Sequence, residues 1–277
     1  MQKIALGRAA QAPIVLARRA LGRGPEVRVG RDGLQWSLDL REGIDFAIFA
    51  LGRFERGTGT ALRGLVTTGD LVVDIGANIG AHTLPLARAV GPEGRVIAFE
   101  PTDFAYAKLC ANIALNPGIA DRITAEQVML LDHPEARAAP ELFASWPLTG
   151  AADRHAKHGG RAVPTRGARA TTLDAYLGDA GLGPVKLIKL DVDGYECAVL
   201  RGARRTLAAD RPPLVMELAP YVLEERGTSL EELLGILHGA GYRLAREDTG
   251  VSLPAEADGL RALLPVGASI NVLVRPV

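Results

Sequence analysis

Short apolar blocks recur along the chain, and each is followed by a stretch with a different period. Residues 71–73 are apolar and run into Asp74; after a glycine-rich turn, a helical pattern over about 79–89 carries Leu84 and Leu86. Residues 96–99 end in Glu100-Pro101 and precede a helical stretch over about 103–115. Residues 186–190 end at Asp191, and 214–218 carry Glu217 inside an otherwise apolar block. Continuous apolar blocks of this length read as strands buried on both faces. Their alternation with helical stretches predicts an α/β fold, a doubly wound sheet with helices on both sides. Ser229 opens a further helix, with Leu233, Leu234, Ile236 and Leu237 on one face and Gly239 and Gly241 at its end. Residues 242–244 and 270–274 read as the last two strands, and 123–128 as a weaker third strand. Asp193 followed by Glu196 three residues later has the spacing of a capping box, which makes Asp193 the expected N-cap of a helix through Leu200.

Ahead of this alternation the pattern differs. Residues 1–24 read as an Ala/Arg-rich helix. Residues 27–29 and 34–40 flank Arg31-Asp32-Gly33, a hairpin signal. Short helices are expected over 44–51 and 58–66. The chain thus divides into an N-terminal helical and hairpin extension, residues 1–68, and a main domain, residues 69–277. Residues 133–169 are rich in Ala, Pro, His and Gly, and their pattern fits loops, short strands or a lid.

Composition narrows the function. The 277 residues carry 32 basic and 32 acidic side chains, so no general electrostatic case for nucleic acid arises. No uninterrupted apolar stretch is long enough to span a bilayer. The basic N-terminus (Lys3, Arg8, Arg18, Arg19, Arg23) around an apolar run at 12–17 reads as a surface helix, with peripheral contact to a membrane or an anionic partner as the other reading. Cys110 and Cys197 are the only cysteines and lack the close pairing of a zinc site. They fit thiols in a reducing compartment, so the cytoplasm is the expected location.

The candidate chemistry lies in the turn after Asp74. Gly76, Ala77, Asn78 and Gly80 form a loop where backbone approaches a ligand closely. The loop lacks the G-x-G-x-x-G spacing of a dinucleotide site, and no Lys-Ser/Thr pair completes a phosphate loop. Asp74 would repel a diphosphate but suits a cationic ligand. Glu100 with Pro101, at the end of the next strand, is placed to accept both hydrogen bonds of a ribose diol. A ligand with a ribose at one end and an ammonium at the other is S-adenosylmethionine.

Taken together, VVDIGANIGAHT, VIAFEPT, TTLDAYL, LIKLDVDGYE and PPLVMEL make residues 70–220 resemble the FkbM-type S-adenosylmethionine-dependent methyltransferases. The resemblance implies a class I methyltransferase fold: a Rossmann-like three-layer sandwich whose seven-stranded, mainly parallel sheet has an antiparallel last strand. It also implies O-methylation, often of sugar hydroxyls or natural-product scaffolds. Asp74, Gly76, Asn78 and Gly80 fall on the first cofactor motif, Glu100 on the ribose position, and Asp191 near the methyl donor. Asp193 stands where the family commonly has glutamate.

Transfer to a hydroxyl needs a group that takes the proton as the oxygen attacks. Asp191 is the first expectation, His82 the reserve, and Glu217 on the neighbouring strand end a further candidate. Lys189 alternates with Asp191, so both should share one side of the sheet, with Asp191 or Glu217 as the partner of the lysine. Asp191, Asp193 and Glu217 have oxygen donors for magnesium, but their spacing does not require a metal, and none is expected. His133, His155, His158 and His238 show no ligand spacing; His155 or His158 fits an acceptor lid. Phe54-Glu55 reads either as a cover over the cofactor or as a packing aromatic beside a solvated acid. Rival functions are a methyltransferase with an amine or carboxylate acceptor, a nicotinamide-dependent oxidoreductase, and a nonenzymatic cofactor-binding module. The acceptor partner is a small molecule or saccharide; the oligomeric state is left open.

Overall fold

The computed structural model describes residues 2–148, 155, 159–265 and 267–277, with side chains from residue 7 onward. The N-terminal section contains α1 (Gln2–Ala20), the hairpin β1 (Glu26–Arg31) and β2 (Leu34–Asp39), α2 (Gly43–Leu51) and α3 (Arg56–Gly64). The hairpin turns at Asp32 (φ 49°) and Gly33 (φ 74°), the paired left-handed conformation that two-residue hairpins require.

Next come β3 (Leu71–Ile75), α4 (Thr83–Ala89), β4 (Arg95–Phe99), α5 (Asp103–Ala114), α6 (Pro117–Ala120) and β5 (Ile123–Glu126). β6 (Val128–Leu130) follows; the Ala/Pro/His/Gly-rich segment 133–169 holds β7 (Glu141–Ser145) and β8 (Arg161–Pro164) and ends at the start of β9 (Arg169–Thr171). The chain continues with α7 (Leu173–Ala180), β10 (Val185–Leu190), α8 (Glu196–Arg201), α9 (Arg204–Ala209), β11 (Leu214–Leu218) and α10 (Pro220–Glu225). It closes with α11 (Leu230–Gly239), β12 (Tyr242–Arg246), α12 (Ala257–Leu263) and β13 (Ile270–Pro276).

Seven strands form one sheet in the order β5-β4-β3-β10-β11-β13-β12. Strands β5, β4, β3, β10 and β11 run parallel, and β13 runs antiparallel between β11 and β12. Val73, Ile75, Ile188, Leu190 and Met216 face a core shared with α8 and α11. Their neighbours Val72, Leu187, Val215 and Leu273 face the other side, packed with Leu84 of α4 and with Trp36, Leu38, Ile48 and Leu62 of the N-terminal section. Burial of each such side chain stabilises the fold by about 1.5–3 kcal/mol.

Strand parity then places the chemistry. Asp74, Lys189, Asp191, Glu217 and Asn271 share the parity of Val72, Leu187, Val215 and Leu273, so they emerge on the side covered by the N-terminal section.

Three local expectations are corrected. The helix after β3 begins at Thr83, because Asn78 and Gly80 take left-handed backbone that no helix tolerates. The third strand ends at Glu126, and Val128–Leu130 turns away to pair with β9. Asp193 is not an N-cap. It sits at φ 48° in the loop after β10, Gly194 follows at φ 95°, and the helix starts at Glu196 behind Tyr195. Among the described residues, Thr172, accepting from Ala175 N–H, and Ser229, accepting from Glu232 N–H, are N-caps that use their side chains.

Candidate active site

The loop after β3 is fixed by its neighbours. The N–H groups of Gly76 and Ala77 both donate to the carbonyl of Phe99, at 2.9 and 3.0 Å, and Asp191 N–H donates to Ile75 at 3.1 Å. Gly76 (φ 80°) has no room for a side chain: a methyl there would overlap the Asp191 carbonyl oxygen. At Gly80 (φ 90°) a methyl would meet the Leu84 and Leu109 side chains.

Glu100 lies beside this loop and is 4% exposed. Its Oε2 accepts the Asn78 N–H at 2.9 Å, and its Oε1 accepts the Thr102 N–H at 3.0 Å and the Thr102 hydroxyl. Burial raises its pKa, against the pull of those hydrogen bonds. Asn78 Nδ2 donates to the Ala144 carbonyl of β7 at 3.1 Å, and its Oδ1 accepts the Ile79 N–H at 3.0 Å. Strand β7 is therefore tied to the loop through Asn78. Ala77 is buried and Pro101 half-buried beside them.

Asp74 is fully buried. Its Oδ2 accepts the Thr83 hydroxyl at 2.7 Å, while Oδ1 has no hydrogen-bond donor. The Lys189 ammonium stands 3.5 Å from that Oδ1 and 3.4 Å from Asp191 Oδ2, and it donates to the Gly76 carbonyl at 2.6 Å. Burial opposes the charge on Lys189, but Asp191, Asp74 and Glu55 outweigh it, so the pKa is raised and the ammonium persists. The lysine's ion-pair partners are thus Asp74 and Asp191. Asp74 faces a cation that the chain itself supplies.

A group of acids follows at the same edge. Asp191 is partly exposed, at 37% of its side chain. Glu217 is pushed up to about 8, chiefly by burial and then by Asp191. Burial, with Asp191, Glu217 and Glu196, holds Asp193 well above the usual carboxylate range. Burial likewise raises Glu196 to about 7, although it accepts the N–H groups of Val192 and Gly194 at 3.3 Å each. Among the described residues, no group of three or more His, Cys, Asp or Glu side chains is disposed to hold a metal ion.

His82 is buried just before α4, and burial followed by the Lys189 charge lowers its pKa to about 3. Its ring lies 6.0 Å from that of Phe54, and its Nε2 is 4.0 Å from Glu55 Oε2. Glu55 is held by Asn271 on β13, a residue that sequence reasoning missed. The only signal was an amide inside the apolar block Ile270–Pro276. His155 reaches Glu225 at 3.1 Å and packs edge-on against Phe143 of β7, and Arg226 lies over the rings of Phe143 and Tyr195. His158 lies outside the described residues, and His133 is exposed on a loop.

S-adenosylmethionine fits this donor set. A strand-end acid stands at Glu100, and Gly76 forms a cradle that a Cβ would fill.

Comparison with known proteins agrees with this reading. Residues 74–244 match the Methyltransferase FkbM domain family. The 31-O-demethyl-FK506 methyltransferase FkbM of Streptomyces tacrolimicus is 29% identical over 203 residues, covering 65% of this chain and 75% of that protein. Among solved structures, a methyltransferase FkbM from Methylobacillus flagellatus is 19% identical with a TM-score of 0.46, over 76% of this chain and 45% of the other. A SAM-dependent O-methyltransferase from Thermotoga maritima is 15% identical with a TM-score of 0.47, over 94% and 81%.

Proposed function

The chain belongs to the FkbM-type family of S-adenosylmethionine-dependent methyltransferases, and from that premise we propose that it is an O-methyltransferase acting on a hydroxyl of a natural-product or saccharide metabolite. The similar Streptomyces protein is named for a substrate that lacks an O-methyl group, and so offers an oxygen as acceptor. The observation that carries the reading is the convergence of Gly76, Glu100 and Asp191 at the carboxyl ends of three neighbouring strands, β3, β4 and β10. Cys110 and Cys197 are both free, which favours the cytoplasm.

When bound, S-adenosylmethionine supplies an electrophilic methyl group on a sulfonium. Asp74, Gly76, Ala77, Asn78 and Gly80 would hold its amino-acid end, and Glu100 with Pro101 its ribose. Asp191 is the proton acceptor for the attacking hydroxyl: its carboxylate is open to the crevice, and Lys189 fixes its direction from below. His82, with a pKa near 3, is neutral at working pH and has little driving force as a base, so hydrogen bonding is its stronger role. Glu217 still holds its proton below about pH 8, burial and the neighbouring Asp191 both disfavouring its charged form.

Calorimetry with S-adenosylhomocysteine tests the cofactor assignment. The wild-type chain should bind it, and Glu100→Ala should weaken binding at least tenfold; no binding to the wild type would sink the assignment. Methyl transfer to a panel of hydroxylated metabolites tests the reaction. Asp191→Asn should remove turnover and leave S-adenosylhomocysteine binding in place, and normal turnover in that variant would reject Asp191 as the proton acceptor.

A further inference from the structure

The N-terminal section delivers a carboxylate to the same edge. Glu55 has a left-handed backbone, φ 36° and ψ 76°, which is uncommon for a glutamate and strained. It occupies the N-cap position of α3, yet its side chain makes no capping hydrogen bond to that helix. The carboxylate instead meets side chains of α3 and β13. Its Oε2 accepts from Asn271 Nδ2 at 3.0 Å and from the Thr58 hydroxyl at 3.4 Å, and Asn271 Nδ2 also contacts Thr58 Oγ1 at 2.8 Å.

Asn271 fixes where this carboxylate sits. It pairs directly with Glu217 across the β11–β13 ladder, so the two side chains emerge side by side on one face. Glu55 is therefore brought beside Glu217, and its charge helps raise both Glu217 and Lys189. Its side chain remains 29% exposed.

On its other side stands His82, with Nε2 4.0 Å from Glu55 Oε2. That gap is too long for a direct hydrogen bond. It does fit one hydroxyl oxygen at roughly 2.8 Å from each group, donating to the carboxylate and bonded to the imidazole. Both Glu55 and Asn271 lie outside the span 74–244 that matches the family, so the clamp is a feature of this chain's flanks.

We propose that Glu55, clamped by Asn271 and Thr58, is an acceptor-binding residue that receives a hydrogen bond from a hydroxyl of an uncharged, polyhydroxylated acceptor, with His82 as the second partner of that hydroxyl. The inference rests on the methyltransferase reading above and adds the acceptor class. The carboxylates of Glu55 and Asp191 on one edge disfavour an anionic acceptor, whereas a neutral hydroxyl gains a charge-assisted bond.

The test uses the full chain, radiolabelled S-adenosylmethionine, and matched acceptor sets: neutral glycosides, their uronates and their 2-amino counterparts. The wild type should methylate neutral members and leave the uronates untouched. Glu55→Gly should raise KM for the neutral acceptor at least tenfold, hold kcat within about threefold, and leave the S-adenosylhomocysteine Kd within twofold. Because glycine relieves the left-handed backbone, its Tm should stay level or rise, whereas a merely structural Glu55 would lower it. Glu55→Asp should recover part of the KM loss, and Asn271→Ala should reproduce part of it. Unchanged KM in Glu55→Gly, a parallel loss of S-adenosylhomocysteine binding, or preference for uronates overturns the proposal. So does a wild type that binds S-adenosylhomocysteine yet methylates no neutral member. A wild type that does not bind S-adenosylhomocysteine fails at the underlying reading, and the proposal falls with it.

Discussion

Lys189 donates a 2.6 Å hydrogen bond to the carbonyl oxygen of Gly76, tying the end of β10 to the first turn of the glycine loop. The same ammonium stands between the carboxylates of Asp74 and Asp191. It thus supports the loop and neutralises a carboxylate with no solvent contact. Removing one partner of a buried ion pair leaves an uncompensated charge, at a cost of about 3–5 kcal/mol. Lys189→Met should lose that much in urea denaturation. Lys189→Met with Asp74→Asn should recover a good part of it, since the stranded charge is gone. Strictly additive losses in the double variant would show that the pair is not coupled.

The two loop glycines should differ in severity. A side chain at Gly76 runs into a backbone carbonyl, which cannot rotate away, whereas at Gly80 it meets the ends of Leu84 and Leu109. Gly76→Ala should abolish measurable S-adenosylhomocysteine binding. Gly80→Ala pays for its positive φ, about 1 kcal/mol or more, and should retain weakened binding. Equal affinities in calorimetry would refute this ordering.

The acids at the edge make stability depend on pH. Glu217 at about 8 and Glu196 at about 7 are raised above the ordinary 4.5 of a glutamate, so the folded chain binds more protons than the unfolded one between those values. Their favourable contribution is complete below about pH 4.5 and is lost as pH rises through 7 to 8. Asp193 adds in the same direction. The denaturation midpoint should therefore fall between pH 5.5 and 8.5, and Glu217→Gln should flatten the upper part of that decline. A midpoint that climbs over this interval would contradict the sign.

What the sequence showed follows from where burial is two-sided. Strands β3, β4, β10 and β11 bury both faces, so each appears as a mainly apolar block in which the few charged residues, Asp74, Lys189 and Glu217 among them, stand out as candidates. The β7–β8 hairpin buries only a few side chains, Ala144 and Val163 among them, so no period stands out from its Ala, Pro and Gly background. The spacing of Asp193 and Glu196 misled because Gly194 allows a left-handed turn. Glu196 then reaches back to the N–H groups of Val192 and Gly194 without Asp193 capping anything. Glu55 and Asn271 lie 216 residues apart, a pairing that local pattern cannot reveal.

The last prediction concerns access to Glu100. Its carboxylate is 4% exposed, and Asn78, which donates to it, also bonds to the Ala144 carbonyl of β7, so movement of β7 is the expected route by which a ligand reaches it. The next residue, Ser145, donates to the buried carboxylate of Glu42 at 2.9 Å, and Gly43 N–H donates to the Trp146 carbonyl at 2.9 Å. These bonds tie the hairpin to the N-terminal section. A hydrogen bond to a charged group contributes about 1.5–3 kcal/mol. Ser145→Ala removes one from the closed arrangement and should make opening roughly tenfold easier. The observable is the association rate of S-adenosylhomocysteine in stopped flow, which should rise by about that factor, with faster amide exchange over residues 141–148. If exchange quickens while the association rate stays fixed, the hairpin opens without controlling entry.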